Sequence, residues 1–277
     1  MLPNCLDVGQ NLRESFEEFF SLADESIELS DIIMKGLDDL GIKNDELSKY
    51  QLALASNFHK AINSFLSIVN LCNMGFIEDA KTITRKVIEI AVTLKYISID
   101  PEKRGNQYFH FWELSNYKIL TDLQKVDKGH VYTNWVQKEL GKHASRIEKE
   151  YEESKAYFDL NKKGEVKGEF LRKWSGKIFE QMAIESGLSI EVRPYKLYCI
   201  ATHVSIEDLT NYYDPKMSCF RPDLSIDDVP FIIIETVRMY LVIIELIVNE
   251  FNLKLDDSLS LVREHLEKFK DHDIFKS

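Results

Sequence analysis

Arg104 and His110 are the residues with the clearest chemical potential, and five residues, Gly-Asn-Gln-Tyr-Phe, separate them. An imidazole moves protons near neutral pH and a guanidinium neutralises phosphate charge, so such a pair suits a phosphodiester. The competing reading is packing: Tyr108, Phe109, Phe111, Trp112 and Tyr117 surround His110 in the sequence. Arg85 and Glu89 stand four apart with apolar residues on both sides, the spacing of an ion pair along one helix. They are read either as an internal tie between helices or as a polar site inside a bundle. Glu235, Arg238, Glu245 and Asn249 fall on one stripe of the most apolar segment; the stripe faces either water or Arg85 and Glu89, and the apolarity of the rest of the helix favours the second. Tyr195, Tyr198 and Cys199 precede His203, with Glu207 one turn on. A histidine so placed suits a general base or a hydrogen-bonded structural role. With Trp174, Glu235 and Arg238, the two tyrosines form a candidate ligand pocket.

Several sequence signatures are missing. The chain has no GxxxxGK[ST], no HExxH, no GxSxG and no Glu-x-x-His pair. Cys5, Cys72, Cys199 and Cys219 stand far apart with no CxxC among them, which predicts free thiols in a reducing compartment. No metal and no cofactor is expected.

The elements that must position these residues are helices. Gly (11) and Pro (6) are scarce in 277 residues, and apolar residues recur at helical spacing almost throughout. The pattern predicts helices over about 7–40 and from Asn44, as N-cap, to Gly75. Others follow over 76–98, from Pro101, over about 132–157, over 170–186, from Pro194, over 229–252 and over about 258–269. The expected fold is all-α, a single multi-helix bundle of about eight to nine helices covering residues 1–277, with 138–169 as a charged segment that projects. The helix over 76–98 is apolar on nearly every side and is expected to be central. Val229–Val248 is greasy, but Glu235, Arg238 and Glu245 argue against a membrane span. With no apolar leader at the N-terminus, the chain reads as cytoplasmic. A formal charge of -11 repels nucleic acid over most of the surface, so RNA binding would need a local basic groove.

The Arg104–His110 spacing resembles the Arg-x(4–6)-His motif of the HEPN ribonucleases. That resemblance implies a small helical bundle acting on RNA phosphodiesters at a dimer interface. A second resemblance covers about Phe58 to His203. It rests on Asn73-Met74-Gly75-Phe76-Ile77-Glu78-Asp79-Ala80, Arg85, Glu89, Tyr96 and Asp100-Pro101, then on Trp174-Ser175-Gly176-Lys177 and on Tyr195 through His203. It is to a bacterial family of all-helical domains of unknown function, some linked to phage-defence loci. Cys199 stands where that family tends to have Ser.

Two function classes follow. One is a defence- or toxin-type protein that cuts or binds RNA. The other is a non-enzymatic interaction or scaffold protein, with a protein partner or a second copy, whose polar clusters fix helix register. A small-ligand site at Tyr195, Tyr198 and Trp174 is a third reading. The placement of Arg104 and His110 discriminates: a shared cleft favours the nuclease, aromatic packing the scaffold. Arg85 and Glu89 are expected to be mostly buried, touching each other and facing His203 or the Glu235–Arg238 stripe.

Overall fold

A computed structural model describes residues 12–125, 138–139, 141–189, 192–202, 213–214, 219–220 and 226–270. The fold is all-α, with nine α-helices of seven residues or longer among the described residues. They are α1 (Glu17–Asp39), α2 (Lys49–Met74), α3 (Ile77–Ser98), α4 (Pro101–Lys125), α5 (Ala144–Ser154), α6 (Phe179–Glu185), α7 (Val192–Thr202), α8 (Val229–Glu250) and α9 (Asp256–Glu267). Strand is confined there to one two-residue pair, Tyr213–Asp214 against Cys219–Phe220, antiparallel, and an isolated bridge between Leu160 and Val166.

Local chemistry sets the ends. Asn44-Asp45-Glu46 has the composition of a helix start but forms only a 3-10 turn. The α-helix begins after Ser48, whose hydroxyl accepts from Gln51 N at 3.1 Å while Gln51 Oε1 accepts from Ser48 N at 3.0 Å. That reciprocal box satisfies two orphan donors, where Asn44 was expected to cap. α2 closes at Gly75, whose φ of 79° suits a residue without Cβ. Gly75 N donates to Cys72 O and Phe76 N to Leu71 O, and α3 turns back antiparallel at once. The helix expected over 170–186 is shorter. Residues 170–178 run as turns through Gly176, at φ 68°, and only Phe179–Glu185 is helical, so Trp174 sits on a loop.

α3 and α8 pack against each other and against α2, with α7 and α6 also on α3 and α1 on α8. Of α8, Ile232, Ile233, Val237, Met239, Tyr240, Ile243, Ile244 and Ile247 are wholly shielded from solvent. Each such aliphatic side chain contributes about 1.5–3 kcal/mol by leaving water. Two hydroxyl contacts interrupt the grease. Thr84 Oγ1 meets Thr236 Oγ1 at 3.1 Å between α3 and α8, and Ser30 Oγ meets the Tyr240 hydroxyl at 2.6 Å between α1 and α8. Among the described residues no helix is long and apolar enough to cross a membrane.

A second, smaller cluster forms where α5 and the hairpin after it cover the distal half of α4. Leu114, Tyr151, Phe158, Val166 and Phe170 are its buried members. Residues 144–158 therefore lie on α4, through Ile147, Tyr151 and the Tyr117–Tyr151 stack at 3.8 Å. The helix expected from about 132 is seen here as Ala144–Ser154, and 126–137 lie outside the described residues.

Candidate functional site

Arg85 and Glu89 lie on the face of α3 that receives α7. Arg85 Nε donates to Glu89 Oε1 at 3.0 Å. The Tyr195 hydroxyl completes a triangle: it donates to Glu89 Oε1 at 3.1 Å and accepts from Arg85 Nη2 at 3.4 Å. The guanidinium also sits 5.2 Å from the Tyr195 ring centre, and Phe179 of α6 stacks on that ring at 3.8 Å. Burial, reinforced by the Glu89 carboxylate, pushes the Tyr195 phenol up to about 12. At neutral pH it is therefore a fixed donor.

The pair is less buried than its apolar surroundings suggest, with 23% of the Arg85 side chain and 41% of Glu89 exposed. Its partner from the C-terminal half is Tyr195, where His203 or the Glu235–Arg238 stripe was expected. His203 and Glu207 lie outside the described residues.

Farther along α3, Tyr96 is buried. The Arg104 guanidinium lies 3.7 Å from its ring centre, and Arg104 Nη1 donates to Tyr96 O at 2.7 Å. Trp174 meets Tyr96 edge-on at 5.7 Å and Tyr108 at 5.3 Å. Lys177 Nζ stands 5.4 Å from the Tyr96 ring. Glu185 gathers both cations: it is 3.6 Å from Arg104 Nη2 and accepts a hydrogen bond from Lys177 Nζ. Arg104 is thus held by stacking, a backbone carbonyl and a carboxylate together.

His110 is elsewhere. Six residues on, it is turned about 120° around α4 from Arg104. Its ring stacks on Tyr157 at 4.1 Å and 6°. Its Nδ1 is 3.3 Å from Ser154 Oγ and 3.8 Å from Glu113 Oε2. Burial pulls its pKa below the usual imidazole value, against Glu113, which acts the other way. Arg104 faces α3 and α6, and His110 faces α5 and the turn after it.

The proposed ligand pocket is likewise divided. Tyr198 is fully buried and packs on Phe231 of α8 at 5.8 Å. Burial, with Glu235 nearby, holds its phenol well above the usual value. Glu235 is 1% exposed and is held by Arg238 at 3.1 Å, whose side chain is 42% exposed. Glu245 pairs with Arg263 of α9 at 2.6 Å, and Asn249 is exposed. The stripe therefore runs from the core to the surface, with Glu235 on Arg238 and Glu245 on α9. Tyr195 joins Arg85 and Trp174 joins Tyr96, while Tyr198 packs against α8 through Phe231.

Sequence reasoning missed Phe179, Glu185, Tyr157 and Ser154 as partners, and Thr84 and Thr236 as the polar link between α3 and α8. Only the last two left a signal, as hydroxyl residues on helices otherwise apolar. Cys72 is a buried free thiol and Cys199 a half-buried one. Among the described residues no group of His, Cys, Asp and Glu could hold a metal ion.

A family of unknown function (DUF5677) has a model that matches residues 51–218, which spans α2 through α7. Neither a curated protein nor a solved structure matches the chain. Six of the residues that carried the resemblance to a helical family, Arg85, Glu89, Tyr96, Trp174, Lys177 and Tyr195, belong to the contacts along that one face of α3.

Proposed function

We propose that this chain, which belongs to the DUF5677 family, acts by binding a partner and not by cutting a phosphodiester with Arg104 and His110. One observation carries the reading. Arg104 and His110 are each held in a separate aromatic stack on different sides of α4, on Tyr96 and on Tyr157. A proton-transfer group must lie within hydrogen-bond reach of the atom it serves, and the charge stabiliser must reach the same substrate. These two side chains point at different neighbours.

The remaining polar groups of the site are spent on position. The Arg85–Glu89–Tyr195 triangle fastens α7 to α3, and Glu185 fastens α6 to Arg104 and to the loop of Lys177. The competing reading, a defence- or toxin-type RNA cleavage, makes an opposite prediction. Incubated with labelled RNA without added metal, the purified chain is expected to leave the RNA intact. His110→Ala is expected to lose about 1 kcal/mol of stability through the lost stack. RNA cleavage that vanishes in His110→Ala, with the fold intact by circular dichroism, would overturn the proposal.

A further inference from the structure

The charge of the chain is unevenly placed. Residues 51–218 carry a formal charge of +2, so the flanks hold the acidity. α1 has eight acidic residues against the single Lys35, and α9 opens on Asp256 and Asp257. These two helices pack together and leave a groove of about 440 Å3 between them. Its apolar floor is Leu29, Ile32, Leu261 and Val262, and its carboxylates are Glu25, Glu28 and Glu264. Leu261 is 66% exposed and Ile32 45%, high for large aliphatic side chains on paired helices. His265 Nδ1 lies 2.9 Å from Glu25 Oε2 inside the groove, and Lys268 completes the lining.

We propose that this groove docks a basic amphipathic helix of a partner protein, its leucine-type face on Ile32 and Leu261 and its lysines or arginines against Glu28 and Glu264. The proposal deepens the binding reading above and rests on it. Three features fit that occupant. At 1.5 Å per residue, the twelve residues of α9 give a track about 18 Å long, three turns of a docked helix. An apolar floor between carboxylates rewards opposite charge and rejects an acidic segment. A second copy docked through the same face would bring its own acidic α1 and α9 to this place.

The probe is a fluorescent Leu/Lys amphipathic peptide of about 15 residues, long enough to hold a helix on binding. Its control is the same peptide with Glu in place of Lys. Titrated with the full chain, the Lys peptide is expected to bind with salt-sensitive affinity and the Glu peptide not to bind. Leu261→Ser is expected to weaken the Lys peptide by about tenfold or more, because an anchor is lost while the charge is unchanged. Leu261 is exposed enough that the fold should persist, which melting curves check. Glu28→Gln is expected to lower both the affinity and its salt dependence. Equal binding to the wild type and to Leu261→Ser would reduce the interaction to nonspecific attraction and overturn the proposal. So would self-association in light scattering that Leu261→Ser abolishes. RNA cleavage is measured separately, so a chain that cuts RNA yet binds the peptide refutes only the preceding reading.

Discussion

The core around α2, α3 and α8 buries mostly aliphatic side chains, deep and on several sides, while the cluster of α4, α5 and the following hairpin buries a few large rings. In the first, ridges of Ile, Val and Leu interlock between long helices. In the second, Tyr117 stacks on Tyr151, His110 on Tyr157, and Phe158 meets Phe170 edge-on at 5.6 Å. A ring covers much area with few ordered torsions, so a short helix can be held by two or three of them. Its outer side is left to ion pairs such as Arg146–Glu150 and Lys149–Glu153, which contribute little at such exposure. The contrast teaches that α5 is fastened at a few points, whereas α3 is embedded.

The largest expected effect lies in the embedded part. Phe65 is buried against Tyr240, with ring centres 4.9 Å apart. Phe65→Ala should cost about 3–5 kcal/mol, read as a lowered urea midpoint for the whole molecule. Tyr117→Ala should cost about 1 kcal/mol and act locally, speeding amide exchange in α5 while α3 stays protected. Equal global losses for the two variants would mean that both regions unfold as one unit, and the distinction would collapse.

An intermediate effect belongs to the seam between α3 and α7. Arg85→Ala should cost about 1–2 kcal/mol, because the guanidinium is partly solvated and Glu89 can turn to water when left alone. A loss of about 3–5 kcal/mol would instead mark a fully buried pair. In a double-mutant cycle with Glu89→Ala, the combined loss should fall short of the sum of the single ones. Strict additivity would show that the triangle with Tyr195 is not coupled.

The smallest effect is a pH response confined to the outer cluster. The folded His110 titrates below its unfolded value, so its contribution is present above about pH 6.5 and fades as pH falls through the lower folded value. Amide exchange in α5 should quicken on acidification through that window, and His110→Phe should remove the response while keeping a ring on Tyr157. An unchanged pH response in that variant would assign it to another group.

Period alone located the long helices, since α3 and α8 are apolar over too many turns to be anything else. Their ends were harder. Asn44-Asp45-Glu46 and Ser48 to Gln51 both look like helix starts, and only three-dimensional pairing selects the second. Trp174 left its expected helix because Gly176 takes a left-handed conformation that breaks the run. For the site, Arg85 with Glu89 was legible from spacing, and Tyr195 from its clustering with Tyr198 and Cys199. That Tyr195 turns to Arg85 while Tyr198 packs on Phe231 of α8 was not. Three residues on a helix differ by about 60° in direction, which is enough to send neighbours to separate partners. Arg104 and His110 failed the same test, because a spacing in sequence carries no information on what fills each side of the helix.

The hydroxyl contacts at Thr84–Thr236 and Ser30–Tyr240 give α8 an address in a neighbourhood without street numbers. Aliphatic side chains of like volume exchange at small cost, so a helix lined with them could slide by a turn or roll and still bury the same grease. Two hydroxyl pairs, facing different neighbours, both close in only one setting of height and rotation. Drift at Ile233 or Ile244 among aliphatics of similar size should therefore leave a single well-defined molecule. Replacing Thr236 with Val and Tyr240 with Phe together would keep the volume nearly constant and erase the address. The loss would then be one of uniqueness more than of strength: a still-helical, still-collapsed chain whose α8 occupies several settings.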